Sequence, residues 1–108
     1  MEKLLIKIGR SYHFIDESNV EIIRADRNYS RIFCGEKSFL VRRSLRALEE
    51  KLNSNRFMRI NKSTIVNVEM INYMRETDDN NYEVVLNNDE IIRWGRKYRE
   101  NLLRLIKI

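Results

Sequence analysis

Two apolar segments with a polar patch between them lie in the stretch Phe57-Met58-Arg59-Ile60-Asn61-Lys62-Ser63-Thr64-Ile65-Val66-Asn67. The flanking residues 57–60 and 64–66 are largely β-branched or large and apolar, which is typical of strands. Asn61, Lys62 and Ser63 would be costly inside a core, because buried polar groups need hydrogen-bond partners. The stretch therefore predicts two extended segments joined by an exposed polar turn.

Short apolar segments separated by polar turns recur along the rest of the chain. We predict about eight short strands from ten extended segments, which are residues 3–8, 12–15, 20–25, 29–34, 38–42, 57–60, 64–66, 71–75, 82–86 and 91–94. Residues that favour turns, such as Gly35 and the pair Asn87 and Asn88, separate these segments. Neighbouring strands joined by such short turns are expected to pair as antiparallel hairpins.

Two helices are predicted beside the strands. Ser44 suits a helix N-cap, and Leu45 and Leu48 follow at the spacing of one helical face. One short helix is therefore expected near residues 44–53, and a C-terminal helix over residues 97–108. The expected fold class is α+β and mostly β, with antiparallel sheets forming a compact, elongated domain on which the helices pack.

The composition bounds the possible partners. The chain has 108 residues and no Pro-rich or Gly-rich linker, so residues 1–108 are expected to form a single domain. Lys and Arg outnumber Asp and Glu by 21 to 16, which gives a net charge of +5 and favours an anionic partner such as nucleic acid. No apolar run approaches the roughly 18 residues of a membrane-spanning helix, so we expect no membrane span.

The residues that carry most enzyme and metal chemistry are scarce. Cys34 and His13 are the single cysteine and the single histidine, which excludes an intramolecular disulfide and a Cys/His metal cluster. This cysteine usage fits a cytoplasmic protein. Glu49 and Glu50 are interpreted as solvated helix charges, and neither a Gly-rich phosphate loop nor a nucleophile elbow is present. We therefore expect no cofactor and no enzymatic activity.

Basic and polar residues gather at the predicted turns and strand ends. They form three groups, which are Arg27, Asn28, Ser30 and Arg31; Arg56, Arg59, Asn61, Lys62 and Ser63; and Arg93, Arg96, Lys97 and Arg99. Arg and Lys neutralise phosphates, and Arg, Lys and Asn can each read a base through hydrogen bonds. The same composition also fits an ordinary basic surface, and it does not distinguish DNA from RNA.

Four sequence blocks, in order, resemble the LytTR family of DNA-binding domains. The blocks are IIRADRNYSRI at residues 22–32, FLVRRSL at residues 39–45, FMRINKSTIVN at residues 57–67 and IRWGRKY at residues 92–98. The third block is the strongest match, and the resemblance in order and spacing extends over nearly the whole chain. Arg24, Asn61 and Gly95 depart from the family's pattern, which usually has Glu, His and Ser at these positions.

The resemblance implies a bacterial transcription regulator that inserts its connecting loops into successive major grooves of duplex DNA. Its sites would be paired direct repeats, commonly occupied by two copies. Base contacts would come from Ser30, Lys62 and Lys97. Phosphate or supporting contacts would come from their polar neighbours, which are Arg27, Asn28, Arg31, Arg59, Asn61, Ser63 and Arg96.

Other interpretations stay open at this point. Domains of this family usually follow a regulatory domain, often a receiver, and the sequence does not decide whether the chain is a stand-alone regulator or a fragment of a longer one. A β-rich module that binds RNA or protein would need exposed aromatic side chains, whereas Tyr12, Phe14, Tyr29 and Phe33 are expected in the core. A membrane-surface module would use the basic C-terminal helix.

Overall fold

The computed structural model describes residues 3–105 of the chain. Within this part the chain forms ten strands and not about eight, because each of the predicted extended segments forms a separate strand. The strands are β1 (Lys3–Ile8), β2 (Ser11–Asp16), β3 (Ile22–Asp26), β4 (Tyr29–Cys34), β5 (Lys37–Val41), β6 (Phe57–Asn61), β7 (Thr64–Asn67), β8 (Ile71–Glu76), β9 (Tyr82–Leu86) and β10 (Ile91–Trp94). The helices are α1 (Leu45–Lys51) and α2 (Arg99–Leu105).

The strands form three antiparallel sheets. β1 pairs with β2, the order β5-β4-β3-β7-β6 forms a five-stranded sheet, and β10-β9-β8 forms a three-stranded sheet. All pairs of neighbouring strands run antiparallel. The predicted fold class, mostly β with two helices, is therefore confirmed.

The five-stranded sheet lies between two hydrophobic clusters. Ile23 and Ile65 belong to the cluster that includes the β1–β2 hairpin and α1, whereas their neighbours Ile22 and Val66 belong to the cluster that includes β9, β10 and α2. Successive residues of a strand point to opposite faces, so the two clusters cover the two faces of this sheet. The central strands therefore alternate between two cores and need apolar residues at consecutive positions.

Each helix begins and ends close to the predicted residues. The Ser44 hydroxyl accepts a hydrogen bond from the Ala47 N–H at 3.1 Å, as the N-cap prediction requires, and α1 ends at Lys51. A short 3₁₀ turn, Arg96–Tyr98, precedes α2, so the helix starts two residues later than predicted. Residues 106–108 of the predicted terminal helix lie outside the described residues. No helix within residues 3–105 is long and apolar enough to cross a membrane.

The aromatic side chains of the β1–β2 hairpin contradict one expectation. Phe14 is 71% exposed and Tyr12 is 63% exposed, and Tyr29 at the start of β4 is also exposed, so these three do not lie in the core. Only Phe33 packs against a core cluster as expected. The physical reason is that a two-stranded hairpin has two faces, and only the face with Leu4 is covered by the rest of the molecule.

Candidate nucleic-acid interface

Three chain segments that are distant in sequence meet at one end of the molecule. The Ala25 N–H donates to the Ser63 carbonyl at 2.9 Å, which joins the β3–β4 turn to the β6–β7 turn. The Gly95 N–H donates to the Ile60 carbonyl at 2.7 Å, which joins the segment after β10 to the same turn. The β6–β7 turn therefore lies between the other two, and the three polar groups found in the sequence become one surface.

Asn61 holds the β6–β7 turn in shape. Its Oδ1 accepts hydrogen bonds from the Ser63 N–H at 2.9 Å and from the Ser63 hydroxyl at 3.1 Å. Its Nδ2 donates to the Arg93 carbonyl at 3.0 Å, across to the end of β10. Because both ends of the amide are bonded to the protein, Asn61 supports the turn and its neighbour segment.

Arg59 supports the same turn from inside the protein. Its guanidinium donates to the Asn61 carbonyl at 3.0 Å and to the Lys62 carbonyl at 2.5 Å, and it pairs with Glu49 at 3.3 Å. It also lies over the ring of Tyr98, 5.3 Å from the ring centre. The side chain is only 13% exposed, so its place is that of a supporting residue and not of a free surface cation.

Lys62 stands at the tip of the turn. Its carbonyl is held by Arg59, whereas its ammonium group has no ion pair or hydrogen bond within the described part of the chain. Lys62 and Ser63 are both exposed. A cation on a fixed backbone with a free head group is suited to contact an anion or the acceptor atoms of a base.

The β3–β4 turn places its residues differently from the prediction. Arg27 takes a left-handed backbone angle, with φ of 59°, and both Arg27 and Asn28 are exposed. Ser30, by contrast, is fully buried, and its hydroxyl donates to the Arg43 carbonyl at 2.6 Å. The structure therefore places Ser30 inside the protein, unlike its exposed neighbours Arg27 and Asn28. Its role is to tie β4 to the segment between β5 and α1.

Arg31 is half-buried beside the same turn. It lies 3.5 Å from the Asp26 carboxylate and donates to the Ser38 hydroxyl at 3.2 Å. Two partners within the protein make Arg31 a supporting residue of the β3–β4–β5 region.

The segment after β10 contributes the third set of exposed cations. Arg93, Arg96 and Lys97 are exposed, and the Arg96 Nε donates to the buried Asn81 Oδ1 at 3.1 Å. A groove of about 400 Å³ runs between this segment and the β6–β7 turn. Asn81 and Arg93 both line it. Arg93 belongs to the third basic group of the sequence and alternates outward between buried Ile92 and Trp94, but no particular contact was assigned to it, and Asn81 was not singled out.

Metal and thiol chemistry find little support at or near this surface. Within residues 3–105 no group of three or more His, Cys, Asp or Glu side chains is arranged to hold a metal ion. Cys34 lies at the far end of β4, and burial, reinforced by the charge of Glu21, raises the pKa of its thiol. A raised pKa leaves little thiolate at neutral pH, which makes Cys34 a poor nucleophile.

Comparison with known proteins identifies the family. The family model of the LytTr DNA-binding domain matches residues 10–107. The chain belongs to the LytTR family. The expectation drawn from the four sequence blocks is thereby confirmed, and the domain is a DNA-binding domain of the kind found in transcription regulators.

Two relatives illustrate the relationship. The LytTR domain is 24% identical over 106 residues to the "Sensory transduction protein LytT" of Bacillus subtilis (strain 168), covering 98% of this chain and 44% of that protein. The chain therefore spans less than half the length of this curated relative. The fold also matches the "LytTr DNA-binding domain of putative methyl-accepting/DNA response regulator from Bacillus cereus", with a TM-score of 0.82, 19% identity and coverage of 100% of this chain and 99% of that one.

Two departures from the family pattern are neighbours in this LytTR domain. A Cβ added to Gly95 would lie 3.3 Å from both Cα and Cβ of Asn61, and 3.3 Å from the ring of Tyr98. Glycine at position 95 therefore lets the segment after β10 approach the Asn61 backbone closely enough for the Gly95–Ile60 hydrogen bond. The two unusual residues form one contact.

Proposed function

We propose that this LytTR domain reads duplex DNA through the end at which the β3–β4 turn, the β6–β7 turn and the segment after β10 meet. The observation that carries the proposal is the convergence of exposed cations from all three segments on one surface. Such a surface neutralises phosphates, and a few fixed side chains on it discriminate bases. The domain would act in the cytoplasm as a bacterial transcription regulator, with residues 1–108 forming one functional unit.

Base contacts are assigned to Lys62 and Lys97. Both are exposed at loop positions, and lysine donates to the guanine acceptors of the major groove. Ser30 is dropped from this set because it is buried, and exposed Arg27 and Asn28 take its place at the β3–β4 turn.

Phosphate contacts are assigned to the residues at the margin of this surface. Ser63 and Arg96 are exposed beside the base-reading positions, and Arg93 faces the groove between them. Arg31, Arg59 and Asn61 position these residues through contacts inside the protein. Phosphate contacts of this kind fix the register of the domain on the duplex.

Insertion of the connecting loops into successive major grooves of the duplex belongs to the same proposal, and the resemblance to the family supports it. We propose paired direct repeats as the sites, with a second copy of the domain on the second repeat. If the chain is part of a longer regulator, a receiver domain at the N-terminal side, as the family resemblance implies, would supply the signal.

The test is selection from a random duplex DNA library with the purified chain at two salt concentrations, followed by sequencing. The expected result is an enriched motif of two direct repeats, bound less tightly at the higher salt concentration. Lys62→Ala should retain binding but broaden the motif, while Lys37→Ala, at the opposite end of β4 and β5, should give the parent's motif. Salt-sensitive binding without any enriched motif would rule out the specific-reader proposal.

The exposed aromatic face of the β1–β2 hairpin favours a second candidate, an RNA- or protein-interaction module. Tyr12 and Phe14 lie on one face of β2 and are largely exposed, as in sheets on which bases stack. Single-stranded RNA should then compete with duplex DNA, and the substitution Phe14→Ser should abolish that competition. DNA binding unaffected by RNA would dismiss this candidate.

A further inference from the structure

A large open groove lies on the side of the molecule formed by β1, β5 and α1. Its volume is about 1010 Å³, and it shares no lining residue with the groove beside the β6–β7 turn. Its floor carries large apolar side chains that remain exposed, with Leu5 at 50%, Tyr29 at 39% and Leu40 at 38%. We call this feature the β1–β5 groove. Exposed apolar side chains that are grouped in a concave surface mark an interaction site.

The charges around the β1–β5 groove have a single sign. Among residues 3–105, five cations and no acidic side chain line it; the cations are Lys3, Lys7, Arg42, Arg43 and Lys51. None of the five forms an ion pair within residues 3–105. Since the whole chain carries 21 basic and 16 acidic residues, a uniformly basic margin is a local feature and not the average of the surface.

The apolar floor and the basic margin together determine which kind of partner the β1–β5 groove can bind. A DNA backbone would satisfy the cations but would leave Leu5 and Leu40 against charged phosphates and water. An amphipathic helix with an acidic polar face satisfies both, because its apolar stripe covers the floor while its carboxylates reach the cations on either side. Complementary charge then steers the encounter and fixes the orientation of the helix.

We propose that the β1–β5 groove docks an acidic amphipathic helix of a partner protein. The proposal goes beyond DNA binding and rests on it only in that a DNA-bound domain would bring the partner to the DNA. The groove includes neither Lys62 nor Lys97, but Tyr29 on its floor directly follows Asn28 of the β3–β4 turn, so a DNA-binding control accompanies the peptide test.

The first test measures peptide binding without DNA. The probe is a labelled synthetic helix of about 18 residues, long enough to be helical, with Leu at helical spacing on one face and Glu on the other. A matched peptide carries Lys in place of Glu, and a second has the Glu and Leu residues scrambled. Fluorescence anisotropy should show the acidic amphipathic peptide binding at least about tenfold more tightly than either control. Equal binding of all three peptides would overturn the proposal.

Variants then locate the binding site. The double substitution Arg42→Glu/Lys51→Glu should weaken binding of the acidic peptide about tenfold or more, and Leu40→Gln should weaken it without any charge change. Lys37→Glu/Arg75→Glu makes the same change in net charge outside the β1–β5 groove and should bind like the parent. If the control variant loses as much affinity for the acidic peptide as the groove variant, then net charge alone attracts the peptide and the proposal fails.

Measuring DNA binding by the same variants distinguishes the docking proposal from the proposed function. The variant Arg42→Glu/Lys51→Glu should bind the duplex site selected by the parent with an affinity within about twofold of the parent's. A loss of DNA affinity as large as the loss of peptide affinity would show that the groove contacts DNA, and would overturn the docking proposal. If the parent binds the peptide through the groove but selects no DNA motif, docking stands and the proposed function falls.

Discussion

Arg59 shows how one side chain can shape an exposed turn through contacts inside the protein. Its guanidinium contacts two carbonyls of the β6–β7 turn, the Glu49 carboxylate and the ring of Tyr98. These contacts need a planar group with several donors in fixed directions, which lysine cannot supply. The turn that presents Lys62 is thus held by a residue that the sequence marked only as one more cation.

Replacing Arg59 with Lys should lower stability and weaken binding to all DNA sequences alike. Loss of the hydrogen bonds to partly buried carbonyls should cost about 1–3 kcal/mol in the free energy of unfolding. Urea denaturation measures this cost, and anisotropy with cognate and unrelated duplexes measures binding. Arg46→Lys, on the exposed face of α1, should change neither. A variant with the parent's stability would show that these contacts do not support the turn.

Lys62 should carry sequence preference. Lys62→Ala removes an exposed head group without disturbing the backbone, since Arg59 binds the Lys62 carbonyl and not its side chain. Discrimination between the cognate base pair and its alternatives should fall by about 1–3 kcal/mol, measured by competition among duplexes that differ at single positions. Unchanged discrimination at every position would place the base contact elsewhere.

A side chain at position 95 should be accommodated only at a cost in stability. Gly95→Ala places a methyl group 3.3 Å from the Asn61 backbone, so the β6–β7 turn and the segment after β10 must move apart. We expect weaker DNA binding and a loss of about 1 kcal/mol or more in stability, since overpacked sites typically cost about 1–3 kcal/mol. Comparison with Asn61→Ala, which keeps the spacing but removes the amide bonds, separates spacing from hydrogen bonding. Parent-like affinity of Gly95→Ala would contradict the need for close approach.

At the scale of elements, hairpins supply the turns and the central sheet sets their positions. β3 pairs with both β4 and β7, so the turns that leave these strands emerge side by side. The irregular register between Arg59 and Asn61 in β6 marks a bulge at the base of the β6–β7 turn. Bulges of this kind re-aim side chains at functional edges of sheets.

The N-cap of helix α1 should contribute to the stability of the domain and not to its affinity for DNA. Ser44→Ala removes the bond from the Ala47 N–H to the Ser44 hydroxyl and should cost about 1 kcal/mol. Ser44→Asp should retain most of the stability, because aspartate also caps helices. Urea denaturation gives both values, and DNA affinity should stay within about twofold of the parent. If Ser44→Ala is as stable as the parent, the cap does not contribute to α1.

At the scale of the whole molecule, the net charge of +5 is spread unevenly. The proposed DNA-reading end and the β1–β5 groove both carry exposed cations, and the groove beside the β6–β7 turn shares no lining residue with the β1–β5 groove. One small domain thus presents two positive surfaces. The cations lie among polar side chains on the first surface and beside exposed apolar side chains on the second. Salt should weaken binding to both, but only the first should discriminate DNA sequences.

The salt dependence of DNA binding should report the number of phosphates contacted. With four to six phosphates neutralised, the logarithm of the affinity should fall with the logarithm of salt concentration at a slope of about −4 to −5. Titrations of cognate duplex at several salt concentrations measure this slope, and Arg96→Ala should make it shallower by about one. A slope near −1 would mean that most of the proposed phosphate contacts are not made.

The sequence by itself determined the elements, because their signals are local. Short apolar segments between polar turns marked the strands, Ser44 marked the start of α1, and three polar groups marked the segments that later met. The family was likewise evident from the order of four blocks. These features depend on neighbours within a few residues, so a linear pattern records them.

Only the tertiary structure decided which side chains are free. Ser30 and Arg59 carry the polar chemistry of a DNA contact, yet one is buried against the Arg43 carbonyl and the other is bonded to the β6–β7 turn. Tyr12 and Phe14 have the apolar character of core residues, yet their face of the hairpin is uncovered. Burial depends on which distant strand packs on which face, and long-range pairing leaves no mark in the local spacing of residues.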